Sequence, residues 1–323
     1  MPRPKPAPAP KSPKPPRPSA FEKALEDMHH QPKGAFAPVS PRWLLSAFAI
    51  AIAGSLVLAW LTLCLLYWQG AWQLLYHPTT AVARTPAAAS LAFEPIHFAA
   101  ADNGTPQLAA WWIPAPNPRF TILLLHTAEG NLGDTVDDIA ALHRAGSAVF
   151  AIDYLGYGDS VQLSGSSRPS ERKLLHDAES ALDYLTATRH LNPARIVVFG
   201  NGLGADIAAE LATRHSSLAG VILDAPPVNP THAIFGDPRS RLVPAHLLVS
   251  DRYDLAQAAR QLTQPSLWLF PQDLPANPAA QFTSAPRTQV WLPTPFPSHP
   301  QFTAAISRWL DDLPSQTSGN SLP

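Results

Sequence analysis

The sequence predicts an α/β sandwich built on a mostly parallel sheet and preceded by a single transmembrane helix. Three observations predict it. A 26-residue run without a charged residue, Trp43 to Trp68, lies near the N-terminus. From about residue 92 onward, short apolar runs alternate with amphipathic helical patterns. Four of those runs, "FTILLL", "AVFAI", "RIVVF" and "GVILD", are apolar almost throughout. Strands read that way when helices cover both faces of their sheet.

The elements are justified in chain order. Residues 1–42 form a tail rich in proline and lysine, "MPRPKPAPAPKSPKPPRPSA" at its start. It has no apolar face to bury, and proline removes backbone donors, so an extended, disordered cytoplasmic tail is expected. A PxxP ligand for an SH3-like partner and a basic solvated spacer both fit its composition. "FEKALEDM" at 21–28 reads as a short helix. The run 43–68 spans about 39 Å as a helix, against about 30 Å for a hydrocarbon core. Trp43 marks one edge and Tyr67, Trp68 and Trp72 the other, as interfacial aromatics do.

Orientation follows from the flanks. Arg3, Lys5, Lys11, Lys14, Arg17, Lys23, Lys33 and Arg42 precede the span, whereas only Arg84 is basic between it and residue 100. The positive-inside rule keeps the tail in the cytoplasm and sends the C-terminal domain across the cell (inner) membrane, to the periplasmic or extracytoplasmic side. "AVA" at 81–83 resembles a signal-peptidase site. A signal peptide, however, has a shorter apolar region and a shorter charged one, so an uncleaved signal anchor is the reading.

Beyond the anchor, strands are expected near 94–99, 108–113, 120–125, 148–152, 195–199, 220–224, 266–270 and 288–292. Helices are expected over 134–146, over 170–190 with Ser170 as N-cap, over 204–214, and in "FTAAISRWL" near the end, each with an apolar stripe of 3.6-residue period. Residues 225–265 have weaker periodicity and several prolines. Two readings stand there: a cap over a pocket, or an ordinary helical excursion. The domain is expected over 72–313, with a frayed tail at 314–323.

Composition narrows the function. The net charge is -1, the pI is about 6.9, and no basic stripe with interleaved aromatics points to nucleic acid. The single cysteine, Cys64, lies in the apolar run and reads as a small hydrophobe. No CxxC pair or HExxH pattern suggests a metal, and no cofactor motif is present.

The motifs then reach a family. "LLYHPTT" (74–80), "LLLHTAEGNLGD" (123–134), "AIDYLGYGDS" (151–160), "RIVVFGNGLGADIAAELA" (195–212), "LWLFPQD" and "VWLPTPFPSHPQF" occur in that order. Together they resemble the α/β-hydrolase superfamily, in its membrane-anchored branch akin to serine aminopeptidases and monoacylglycerol lipases, over roughly 72–312. The resemblance implies an eight-stranded, mostly parallel sheet with helices on both faces. It also implies a Gly-x-Ser-x-Gly elbow, with the acid and then the histidine of a triad downstream.

Here the elbow reads Gly200-Asn201-Gly202-Leu203-Gly204, and Gly202 occupies the nucleophile position. Glycine has no oxygen with which to attack. Its freedom at positive φ, however, keeps the turn and relieves the strain a serine would carry there. Asp273 falls at the family's acid position and His299 at its base position; a turn aspartate and a loop histidine are the structural readings of the same residues. The oxyanion donors implied by the resemblance are the N–H of Leu203 and one from the loop at Thr127, where the family has glycine. Glu129 either brings negative charge to that site or faces solvent. Thr127, Ser298 beside the base, or water activated by His299 are the stand-in nucleophiles the sequence offers.

Three functions are therefore expected to compete. The first is a pseudoenzyme: a membrane-anchored hydrolase-like domain, deficient in serine-hydrolase activity, that binds a small-molecule or lipid ligand or a protein partner. The second is an active hydrolase of ester, acylglycerol or peptide bonds that uses a non-standard nucleophile or activated water with Asp273 and His299. The third is a structural member of a membrane complex that the proline-rich tail contacts.

Overall fold

The computed structural model describes residues 19–23, 40–99, 104–160, 168–271, 273–282, 289–291, 297 and 299–313. Most of the two expected tails lies outside these residues, as does Ser298. Contacts divide the chain into two compact units, residues 1–59 and 60–323.

Helix α1 (Pro41–Gly70) contributes its first part to the first unit. It carries no acidic residue in its first turn and no basic residue in its last. Leu44, Leu45, Phe48, Ile50 and Leu56 are all exposed. Among the described residues it is the one helix long and apolar enough to cross a membrane.

The second unit is built on a mixed sheet of eight strands: β1 (Glu94–Ala99), β2 (Pro106–Ile113), β3 (Thr121–Leu125), β4 (Ala148–Ile152), β5 (Ile196–Asn201), β6 (Gly220–Asp224), β7 (Ser266–Leu269) and β8 (Gln289–Trp291). Their spatial order is β1-β2-β4-β3-β5-β6-β7-β8. The pairs β1–β2 and β2–β4 are antiparallel, and every other neighbouring pair is parallel. A separate two-residue bridge pairs His77–Pro78 with Glu129–Gly130.

The continuous apolar runs explain why β3 to β6 lie at the centre. Side chains alternate between faces, and both faces are filled. On one face, Leu123, Leu125, Phe150, Ile152, Ile196, Val198, Val221 and Leu223 pack in one core with α3 (Glu171–Asp183), α4 (Leu203–Arg214) and α5 (Leu255–Gln261). On the other, Ile122, Leu124, Val149, Ala151, Val197, Phe199 and Ile222 pack with α2 (Val136–Arg144) and α6 (Pro300–Asp312). A strand buried on both sides needs an apolar interior, and these strands have one, with Thr121, Asn201 and Asp224 only at their ends.

Three details differ from the pattern reading. The helix expected from 134 begins as a 3-10 turn, Leu132–Thr135, closed by a capping box between Asn131 and Asp134, and becomes α-helical only at Val136. Ser170 stands at the N-cap of α3, but its side chain makes no capping bond. That helix changes to a π-turn at Tyr184–Thr188, which keeps Leu185 buried and stacks Tyr184 on Phe150 at 5.4 Å.

The segment after β6 divides in two. Two single helical turns, His232–Phe235 and Ala245–Leu248, pack against the distal part of α1 through Ile234, Val243, Ala245, Cys64 and Tyr67. Helix α5 then returns the chain to β7 as an ordinary crossover on the sheet. The excursion and the crossover are thus consecutive parts of one connection.

Candidate functional site

The site is built around the turn between β5 and α4. Gly202 has φ 54° and ψ −123°. This is a region that glycine enters freely and other residues enter only under strain. The neighbouring glycines are required by close packing. A Cβ on Gly204 would collide with the carbonyl oxygens of Leu125 and His126, and one on Gly200 with the backbone of Gly204. The turn is tied to the next strand by Gly202 N–H donating to Asp224 O at 2.9 Å. Leu203 opens α4 and is buried.

Thr127 lies directly against the elbow. A Cβ placed on Gly202 would stand 2.5 Å from Thr127 Oγ1 and 3.0 Å from Thr127 Cβ. The threonine side chain therefore occupies the space in which a side chain at 202 would begin. Its loop is held from below. Tyr154 OH donates to His126 O at 3.3 Å, and Tyr157 OH donates to Ala128 O at 2.9 Å. His126 is buried against both of those rings, and its Nδ1–H donates to Thr127 O at 2.7 Å. Asp153 accepts from Leu132 N–H at 2.9 Å, and Asn131 donates to Thr79 and Ala81. The "DYLGYGDS" turn and Asn131 thus clamp the 126–132 loop against the elbow. Glu129 is exposed, 3.8 Å from His77, so its carboxylate faces solvent.

The downstream acid and base make no contact with the elbow through a hydrogen bond or ion pair among the described residues. Asp273 is exposed, just beyond β7. His299 is the N-cap of α6, and its Nδ1 accepts from Gln301 N–H at 3.3 Å. No hydrogen bond or ion pair among the described residues joins Asp273 to His299, or either of them to Gly202, Leu203 or Thr127.

Other polar groups surround the elbow, and pattern reading missed them. Asn201 Nδ2 donates to Asp224 Oδ2 at 2.7 Å, an exchange set by the β5–β6 register that pairs the two residues. Burial pushes the Asp224 carboxyl up to about 7, against the lowering effect of the Asn201 bond. Asp206, in the first turn of α4, is buried with neither carboxyl oxygen hydrogen-bonded, and burial pushes it well above the usual carboxylate range. Further out, Tyr76 OH donates to Asp251 Oδ2 at 2.6 Å and lies 2.5 Å from Tyr253 OH. An acid ending a buried strand, as in "GVILD", was the available signal for Asp224. Tyr76 and Asp251 are too far apart in sequence for any local pattern to join them. No group of three or more His, Cys, Asp or Glu that could hold a metal occurs among the described residues.

Comparison with known proteins agrees with this architecture. The model of the serine aminopeptidase S33 family matches residues 116–267. The alpha/beta hydrolase domain-containing protein 17B of Xenopus tropicalis is 31% identical over 124 residues, covering 38% of this chain and 41% of that protein. The protein WAV2 of Arabidopsis thaliana, described in the same terms, is 33% identical over 130 residues, covering 39% and 40%. The matched stretch is thus about two fifths of these relatives' length. The Pyrococcus furiosus esterase Pf2001 superposes with a TM-score of 0.56 at 15% identity, covering 73% of this chain and 99% of that one. Esterase LipW of Mycobacterium marinum gives 0.52 at 19% identity, covering 70% and 83%. The chain has the α/β-hydrolase fold, and the sequence matches support the α/β-hydrolase superfamily.

Proposed function

We propose that this chain is a membrane-anchored member of the α/β-hydrolase superfamily that lacks serine-hydrolase chemistry and acts by binding a ligand or a protein partner. One observation carries the reading. The nucleophile position holds Gly202, and the space where a serine side chain would start is taken by Thr127. Two changes on different elements fit each other, as expected of a remodelled site rather than of a single lost atom. The exposure of Asp273 and the use of His299 as a helix cap support it. The charge-free run 43–68 within α1 supports the anchor, and the basic flank before it supports a cytoplasmic N-terminus.

The test uses the full chain in neutral detergent, with short-chain nitrophenyl esters and a fluorophosphonate probe. No covalent labelling and no turnover above buffer are expected. Labelling at any residue, or turnover abolished by His299→Ala, would overturn the reading in favour of an active hydrolase with a substitute nucleophile. Protease accessibility of the tail and of the domain in right-side-out vesicles reads the orientation.

A further inference from the structure

Beside the point where α1 ends lies a cleft of about 370 Å³ that none of the elbow chemistry uses. Trp68, Trp72, Arg168, Ser170, Lys173 and Ser250 are among the residues that line it. The Arg168 guanidinium lies 5.4 Å above the Trp68 ring, and Lys173 Nζ donates to Arg168 O at 2.8 Å. The two cations are thereby held within one small space. Asp251 also lines the cleft, but its Oδ2 accepts from Tyr76 OH at 2.6 Å and its Oδ1 from Glu171 N–H at 3.3 Å.

The depth of this cleft follows from the helix beside it, on the reading that α1 spans a membrane. The run 43–68 is about 39 Å long, or about 37 Å across the bilayer at the usual tilt of about 20°. That leaves about 7 Å beyond a hydrocarbon core of about 30 Å. Trp60 Nε1 donates to Leu242 O at 3.0 Å, and Tyr67 OH donates to Ile234 O at 2.9 Å, so the excursion after β6 accompanies this end of α1. Irregular backbone exposed to lipid is not tolerated deep in hydrocarbon. Taken on the side of the folded domain, that excess places Trp68 in the headgroup layer, about 5–8 Å thick, and Trp60, about 12 Å earlier along the helix, about 4 Å inside the hydrocarbon edge. Leu242 (61% exposed) and Leu247 (86% exposed) on the same excursion are then positioned against the lipid surface.

We infer that the cleft binds the phosphodiester of a phospholipid headgroup from the leaflet facing the folded domain. Arg168 and Lys173 supply the charge, Trp68 and Trp72 pack along the glycerol and the first acyl carbons, and the apolar excursion lies beside them at the same surface. Arginine and lysine paired with interfacial tryptophan match the two halves of such a ligand.

The experiment uses the full chain in dodecyl maltoside micelles titrated with dioleoyl phosphatidylglycerol and read by native mass spectrometry. The wild type is expected to retain lipid, Arg168→Ala/Lys173→Ala to bind it at least tenfold more weakly, and Arg168→Lys to recover part of the loss. Equal binding by wild type and double variant would overturn the site. So would equal retention of dioleoylglycerol, which lacks the phosphate, or displacement of the lipid by millimolar inorganic phosphate. A second readout needs no variant: phosphatidylglycerol should slow acetylation of Lys173 in the wild type, and an unchanged rate overturns the site. Alkaline carbonate extraction separates the two readings. A chain that extracts refutes the membrane span itself; a chain that stays integral but shows no lipid effect refutes the headgroup site alone.

Discussion

Restoring a serine at the elbow should not restore a hydrolase, because Thr127 stands in the way. In Gly202→Ser the new Cβ would lie 2.5 Å from Thr127 Oγ1 and 3.0 Å from its Cβ, well inside contact distance. Overpacking of this kind costs about 1–3 kcal/mol. The backbone at φ 54° and ψ −123° adds about 1–3 kcal/mol once the residue has a side chain. A loss of about 3 kcal/mol is expected, which lowers the melting temperature by roughly 6–12 °C in a domain of this size. The steric share disappears when Thr127 is removed. In the double variant Thr127→Gly/Gly202→Ser, the two changes should therefore couple favourably by about 1–2 kcal/mol in a double-mutant cycle. Urea unfolding of the four proteins in detergent measures that coupling, and fluorophosphonate labelling of the same samples reports whether a nucleophile has been assembled. A coupling of zero, or a Gly202→Ser variant as stable as the wild type, would refute the claim that Thr127 fills the serine's place. Labelling of Gly202→Ser alone would refute it as well.

Three further outcomes follow from the same geometry. Gly204→Ala should be far more damaging than Gly202→Ser, by more than about 3 kcal/mol, because its Cβ meets the fixed backbone carbonyls of Leu125 and His126; the yield of folded protein after expression shows it. Asp224 has a folded-state pKa of about 7, above that of an unfolded aspartate, so the folded state holds its proton more tightly. Its contribution is complete below about pH 4 and is lost as pH rises toward 7, by up to about 4 kcal/mol, and Asp224→Asn should flatten the stability profile in that window. Tyr76→Phe removes the hydroxyl that partners Asp251 and Tyr253 and should cost about 1–3 kcal/mol in urea unfolding, with the fold retained.

Much of the fold can be read locally. The strands at the centre of the sheet have interiors apolar on both faces, so "TILLL", "AVFAI" and "GVILD" announce themselves without reference to anything distant. The turn at Gly202 is equally local, since glycines at 200, 202 and 204 between a strand and a helix leave little else for the backbone to do. Other features are hidden because both partners are needed to see them. His299 looks available in sequence, yet at the start of α6 its ring serves the N–H of Gln301. Glu129 looks placed to oppose an oxyanion, yet its backbone pairs with His77 and its carboxylate faces solvent.

The sequence by itself therefore determined the strands, the helices and the glycine turn, because burial and backbone conformation are encoded residue by residue. Only the tertiary structure decided what fills the space above Gly202, which acid meets Asn201, and which segment accompanies the end of α1. Those contacts join residues 75, 23 and 182 positions apart, through Thr127, Asp224 and the Trp60–Leu242 bond. Separations of that kind are set by strand order and register, which bring chosen side chains within ångströms of one another and leave no trace in either local pattern.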